Sequence, residues 1–190
     1  MTKHYKQFSL WLCVLLVLGA LFIWATPYLR IAPAVPVEYQ SLANRYAAKY
    51  SLSPTLVYSV MKVESNFDPD ARSHQNAYGL MQITEDTLKW AIVREGNNAP
   101  YTAQDLFDPE INIKYGCYIL SLLLQEFEDP GTALAAYNAG RSNVIKWLKD
   151  SRYSHDGLTL YTTPYKETTQ YMQKVLAYEE KYQKMLGEVR

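Results

Sequence analysis

Cysteine is almost absent from this chain of 190 residues: there are two. Cys13 lies inside an apolar run, and Cys117 stands among Tyr115, Tyr118, Ile119 and Leu120. These two cannot build a disulfide framework, so the fold must rest on an apolar core. Eight glycines and nine prolines, without period, exclude collagen-like and low-complexity chains. Net charge is absent as well, with 19 Lys+Arg against 19 Asp+Glu. Without a basic excess, no nucleic-acid partner is expected. No His/Cys/carboxylate cluster has metal-ligand spacing, and no Gly-rich loop could cradle a phosphate; neither metal nor cofactor is expected.

What is present argues for a globular fold. Hydrophobic residues make up 48% of the chain and aromatics 14%, which excludes disorder. The zero net charge hides an asymmetry. Residues 1–30 carry Lys3, Lys6 and Arg30 and no acid, so the remaining 160 residues hold an acidic excess of three.

From Phe8 to Ala25 run eighteen residues without a charge, nearly all apolar. As a helix they would span ~27 Å, close to the ~30 Å hydrocarbon core of a bilayer. Lys3 and Lys6 precede the run, so the positive-inside rule places the N-terminus in the cytoplasm. Trp11 and Trp24 stand towards its ends, where interfacial aromatics are favoured. The expected organisation is a cytoplasmic stretch 1–7, a membrane helix 8–26, a Pro-containing linker 27–37 and an exported domain 38–190. A cleaved signal peptide is the competing reading, with Ala32-Pro33-Ala34 as a small-x-small site. Its apolar core is normally about 7–15 residues, shorter than this one. Either reading exports the domain across the membrane.

The exported part reads as helices and little else. Leu42, Tyr46 and Ala47 keep helical spacing over about 38–50. Ser53 and Pro54 open a second helix carrying Val57, Val60 and Met61 on one stripe to about Asn66. Residues 67–83 read as irregular. Thr84 caps a short helix with Glu85 and Asp86 in its first turn. Asp108-Pro109 starts the strongest helix, with Ile111, Tyr115, Tyr118, Ile119 and Leu122 on its apolar face. Gly131 separates it from an Ala-rich helix over Thr132–Asn138. Gly140 ends that helix, and Ser142 is the candidate cap of another containing Val144, Ile145, Trp147 and Leu148. The stretch 151–163 is a loop with room for a small hairpin. A last helix covers about 165–186. The expected architecture is one compact all-α domain.

One glutamate lies where a charge is costly. Val57, Val60, Met61 and Glu64 follow i, i+3, i+4, i+7, so a carboxyl group shares the core-facing stripe. It also lies in the last turn of its helix, where the dipole is negative. Desolvation and dipole both raise its pKa. A carboxylic acid protonated near neutral pH can give its proton to a leaving oxygen. The stripe alone leaves a plain solvated glutamate open.

The surroundings narrow the choice. Glu64-Ser65-Asn66-Phe67 is followed by Gly79-Leu80-Met81-Gln82. Then come Leu106 with Asp108-Pro109, Asn112-Ile113 with Gly116, and Ala136-Tyr137-Asn138-Ala139-Gly140. Pro164 and Glu167-Thr168 with Tyr171 complete the order. Over about residues 40–185 this ordered set resembles the catalytic domain of the soluble-lytic-transglycosylase family, whose fold is lysozyme-like and predominantly helical. The resemblance implies that Glu64 is the sole catalytic acid. It implies that Ser65 orients that glutamate or the substrate, and that Met81 and Gln82 line the sugar cleft. Tyr137 and Asn138 match the family's Tyr-Asn pair, the tyrosine hydroxyl lying near the catalytic carboxyl. Glu167 and Tyr171 match a late Glu-Thr-x-x-Tyr motif at the cleft. Departures stand at Glu85, Thr169, Met172 and Ala77-Tyr78, and bear on substrate preference.

The implied substrate is the peptidoglycan glycan strand, reached by an enzyme held to the membrane through its N-terminal helix. Hydrolytic glycosidases pair two carboxyl groups. With one acid, the second function falls to the substrate, and the implied reaction is non-hydrolytic, leaving 1,6-anhydromuramoyl ends. Two alternatives stay open at this stage. One is a muramidase with Asp68 or Asp70 holding a water; the other is a non-catalytic wall-binding protein on the same fold.

Overall fold

A computed structural model describes residues 34–187, so the apolar run Phe8 to Ala25 and the expected membrane helix lie outside the described residues. Among the described residues, no helix is long and apolar enough to cross a membrane. These residues form seven α-helices, one short 3-10 helix and one two-stranded hairpin.

Helix starts follow local chemistry. Helix α1, Val37–Lys49, buries Tyr39, Ala43, Tyr46 and Ala47 at helical spacing. It begins inside the expected linker: Val35 is already buried, and its carbonyl accepts from Gln40 Nε2 at 2.9 Å. Helix α2, Pro54–Ser65, places Pro54 in its first turn as expected. Ser53 holds the N-cap position, but its hydroxyl pairs with that of Thr55 and caps no backbone N–H. Helix α3, Glu85–Arg94, is capped by Thr84 Oγ1, which accepts from the backbone N–H of Thr87. A 3-10 turn, Ala103–Phe107, leads into α4, Pro109–Glu126, where the Asp108 carboxylate accepts from the N–H groups of Glu110 and Ile111.

Helix α5, Pro130–Ala139, is capped by Asp129, so Gly131 lies in its first turn and does not separate two elements. A Cβ at Gly131 would lie 3.1 Å from Oδ2 of the capping Asp129 carboxylate. Helix α6, Arg141–Trp147, takes Gly140 as its N-cap residue, with φ +87°, and Ser142 lies within its first turn and makes no cap. The loop before the last helix forms no strand. It is held by the Asp156 carboxylate, which accepts from the N–H groups of Leu158 and Thr159, and by Leu160 N–H donating to Thr132 Oγ1. Helix α7 is Lys166–Gly187.

The segment expected to be irregular contains the only strands among the described residues. Strand β1, Ala77–Tyr78, pairs antiparallel with β2, Ile83–Thr84, with Tyr78 opposite Ile83. Two-residue strands carry no readable alternation, so sequence pattern could not announce them.

Helix α4 is the buried axis. Ile113, Tyr115, Cys117 and Leu120 have no exposed surface, each large apolar side chain contributing about 1.5–3 kcal/mol on burial. Burial also pushes the Cys117 thiol pKa up, so it packs as an inert small hydrophobe. Helices α1, α3 and α5 pack on α4, while α2 and α5 both pack on α7. The last turns of α2 and α5 and the first turn of α7 thereby meet beside the hairpin.

Candidate active site

Glu64 occupies the last turn of α2. Val57, Val60 and Met61, on the same stripe, are fully buried. The carboxyl emerges from that stripe into a cleft of about 590 Å³. Desolvation is the main cause that pushes its pKa up to about 7. The negative charge of Glu167 adds to the rise, and the hydroxyl of Tyr171 opposes it. Tyr171 is buried, and its hydroxyl makes no hydrogen bond of ordinary geometry; it lies against Glu64 close enough to favour the carboxylate.

The chain reverses sharply after this acid. Asn66 and Phe67 both lie in the left-handed region, at φ +56° and +65°. Asparagine tolerates this conformation, whereas phenylalanine pays roughly 1–2 kcal/mol for it. Their N–H groups cap α2 by donating to the carbonyls of Lys62 and Met61. Lys62 Nζ also donates to Asn66 Oδ1. Strain of this kind is characteristic of sites where position matters more than stability.

The hairpin turn Gly79–Gln82 forms the opposite wall. Asn112, wholly buried on α4, holds it from below. Its Nδ2 donates to the carbonyls of Tyr78 and Leu106, and its Oδ1 accepts from Met81 N–H at 2.8 Å. Gly79, at φ +71°, approaches so closely that a Cβ would fall 2.3 Å from the Leu106 oxygen. The Asn112 motif was visible in the sequence, but nothing local showed that this side chain is the peg of the turn.

The expected residues divide into those at the cleft surface and those behind it. Glu64, Gln82, Tyr137, Asn138 and Glu167 line the cleft. Met81 does not reach the surface: its side chain is fully buried, packed where a Cβ on Gly116 would collide with its sulfur. Its backbone carbonyl instead accepts from the Tyr137 hydroxyl at 2.9 Å. Tyr137 is therefore a strut between α5 and the turn, near enough to Glu64 that the acid's charge helps to push the phenol pKa up, after burial. Ser65 Oγ donates to the Leu80 carbonyl at 2.9 Å, tying the end of α2 to the same turn. Tyr171 stands behind Glu64, in the core.

Hydrogen-bond bookkeeping shows what the cleft offers a ligand. Gln82 Nε2 donates to the carbonyls of Ala71 and Gly79, which leaves its Oε1 as an acceptor. Asn138 Oδ1 accepts from Thr168, which leaves its NH₂ as a donor. An amide acceptor and an amide donor in one cleft complement an acetamido group. His74, Gln75, Thr84 and Thr87 also line it and escaped the sequence reading as cleft residues: His74 and Gln75 are exposed loop residues without a periodic signal, and Thr84 and Thr87 belong to the start of α3. Asp68 and Asp70 lie outside the lining; Asp68 Oδ1 accepts from Asp70 N–H in a solvated turn. The second carboxylate of the cleft is Glu167. Among the described residues, no three His, Cys, Asp or Glu side chains gather where a metal could bind.

Comparison with known proteins agrees with this geometry. Residues 41–158 match the transglycosylase SLT domain, which leaves Glu167 and Tyr171 beyond the matched stretch. The soluble lytic murein transglycosylase of Escherichia coli strain K12 is 30% identical over 155 residues, covering 80% of this chain and 24% of the relative. The membrane-bound lytic murein transglycosylase C of Actinobacillus pleuropneumoniae serotype 5b is 31% identical over 166 residues, covering 76% of this chain and 46% of the relative. The crystal structure of an inactive mutant of the lytic transglycosylase Slt from Pseudomonas aeruginosa superposes with a TM-score of 0.69 at 33% identity, over 80% of this chain and 25% of that one. The chain thus spans about a quarter of the length of the soluble relatives it matches.

Proposed function

Since the chain belongs to the transglycosylase SLT domain family, we propose that it is a lytic transglycosylase that cleaves peptidoglycan glycan strands without water. The observation that carries this reading is Glu64, a carboxyl desolvated to a pKa of about 7 inside the cleft. Such a group is protonated often enough near neutrality to act as an acid, and basic enough afterwards to take a proton back.

The reaction uses both states. Protonated Glu64 gives its proton to the oxygen joining N-acetylmuramic acid to N-acetylglucosamine, and the bond from that oxygen to the muramoyl C1 breaks. The neighbouring acetamido group stabilises the cationic centre, its own N–H and C=O received by Gln82 Oε1 and the Asn138 amide. The muramoyl C6 hydroxyl attacks C1, and its proton passes to the Glu64 carboxylate. Acid and base are one residue, no water is consumed, and the nucleophile is already attached to the substrate. The product is a 1,6-anhydromuramoyl end.

A muramidase remains the second reading, favoured by the presence of Glu167 in the cleft as a second carboxylate. Mass spectrometry of products from purified peptidoglycan separates the two. An anhydro end is one water lighter than a hydrolysed end. Exclusively reducing-end products would overturn the transglycosylase reading.

We place this activity on the outer side of a membrane. The support is the uncharged run Phe8 to Ala25 behind Lys3 and Lys6, long enough for one span. An anchor of this kind holds the enzyme beside its polymer. Fractionation tests it: an anchored chain leaves the membrane only with detergent, whereas release by salt or alkali overturns the anchor.

A further inference from the structure

Charge is unevenly spread over the folded domain. Residues 31–190 carry an acidic excess of three, yet the stretch from Lys146 to Lys166 is basic, with Lys146, Lys149, Arg152 and Lys166 against Asp150 and Asp156. Both of these acids are already engaged. Asp150 pairs with Arg152 at 2.6 Å, and Asp156 accepts from the N–H groups of Leu158 and Thr159 and from the Ser154 hydroxyl. Among the described residues, no carboxylate pairs with Lys146, Lys149 or Lys166, and all three lysines are exposed. Large apolar groups are exposed in the same stretch: Leu158 by 72%, Tyr161 by 49% and Tyr165 by 55%.

These residues form one surface. The loop folds back on the end of α6: Tyr161 N–H donates to the Tyr153 carbonyl, and the Tyr161 hydroxyl donates to the Arg152 carbonyl at 2.6 Å. The Tyr161 ring stacks on the exposed His155, with centroids 4.3 Å apart. Gly157 brings the tip to the end of α6, where a Cβ would lie 3.8 Å from the Leu148 carbonyl oxygen. Tyr165 closes the other side, its ring 5.3 Å from that of Trp147, the neighbour of Lys146 on α6. So braced, the turn presents Leu158 at little further ordering cost. A fixed apolar tip, tyrosine rings and lysines without counter-charges on one face fit the boundary of a bilayer. Leucine enters the acyl edge, tyrosine suits the level where one end is apolar and the other wet, and lysine stems lie along apolar surface while their heads reach phosphate. A dissolved polyanion would match the lysines and leave Leu158 unused.

We infer that the end of α6 and the loop from Ser151 to Lys166 are a docking face for a bilayer with anionic headgroups, which holds the catalytic domain against a membrane surface. The acidic remainder of the domain is repelled by the same headgroups, so the field that attracts this face also orients the domain.

The test uses the full chain with Cys13→Ser and Thr159→Cys, labelled at residue 159 with an environment-sensitive fluorophore; Cys117 is buried and does not compete. It is reconstituted in vesicles of phosphatidylcholine alone or with phosphatidylglycerol added, each containing a nitroxide lipid. An N-terminal anchor enters both kinds of vesicle, so only docking of the loop tells them apart. Emission should be blue-shifted and quenched in the anionic vesicles alone, and high salt should reverse both changes. Lys146→Gln, Lys149→Gln and Lys166→Gln should each lower the ratio of docked to undocked domain about 5-fold, and Leu158→Asp should abolish the quenching. These side chains are exposed, so the variants should keep the Tm of the parent. Equal emission in the two kinds of vesicle overturns the inference, whether both are quenched or neither is. Quenching that survives the three lysine substitutions combined also overturns it. If the label at residue 159 lowers the Tm, a label on Ser151→Cys takes its place and the same outcomes decide. The readout involves no glycan cleavage, so it stands apart from the transglycosylase reading.

Discussion

The hydroxyl of Ser65 donates to the carbonyl oxygen of Leu80 at 2.9 Å, joining the residue after the acid to the turn across the cleft. Both walls of the site are referenced to each other through this bond. The same hydroxyl also donates to Met61 within α2. We therefore propose that Ser65 positions the acid and contributes no atom to the chemistry. Ser65→Ala removes a hydrogen bond worth about 0.5–1.5 kcal/mol. The expected result is a several-fold fall in kcat, a slightly lower Tm and an unchanged pH profile. A shifted pH profile would show that Ser65 acts directly on the carboxyl.

Glu64→Gln should fold and lose activity by a factor of at least about 10². The variant should also be more stable than the wild type above pH 7. The pKa of Glu64 is raised on folding, from the model-peptide value of 4.5 to about 7. Its stabilising protonated form is fully present below pH 4.5, and the advantage is lost as pH rises through that window. The neutral amide escapes the loss, which at about 1.4 kcal/mol per pKa unit is a few kcal/mol at most. Thermal melts of both proteins at pH 4 and pH 8 measure it; an equal Tm difference at the two values would remove the buried acid from the account.

Two neighbours should move the pH profile in opposite directions. Activity falls with rising pH as Glu64 ionises, so the alkaline limb reports its pKa. Tyr171 favours the carboxylate and Glu167 disfavours it. Tyr171→Phe should carry the alkaline limb to higher pH, and Glu167→Gln should carry it lower. Profiles of kcat/KM over pH 5 to 9 test this, and shifts of the same sign in both variants would contradict the arrangement.

The turn itself is the most fragile part of the site. Gly79→Ala asks an L-residue to adopt φ +71° and drives a Cβ towards the Leu106 oxygen and the Asn112 amide. Asn112→Ala instead strands the Met81 N–H and two carbonyls. Each should cost about 3 kcal/mol or more in chemical denaturation, with activity lost alongside. A fully active Asn112→Ala variant of native stability would mean that the turn holds its shape without the peg.

Much of this architecture was legible before any coordinates. Pro54, Thr84, Asp108 and Pro109 mark helix starts by local chemistry alone, and the i, i+3, i+4, i+7 stripe singled out Glu64. What escaped was non-local. Met81 read as a cleft wall through the resemblance of the Gly-Leu-Met-Gln turn, yet its side chain packs inward against Gly116 while Gln82 lines the cleft. Ser142 looked like a cap, but the glycine before it had already taken that place.

Helix α7 supplies Glu167 and Tyr171 to an acid that precedes Glu167 by 103 residues. The surroundings that set the Glu64 pKa are therefore complete only when this last described helix has docked against α2 and α5. A stretch ending before α7 keeps the glutamate but neither of these two neighbours, so the tuning of the acid belongs to the assembled fold and not to the segment that carries it.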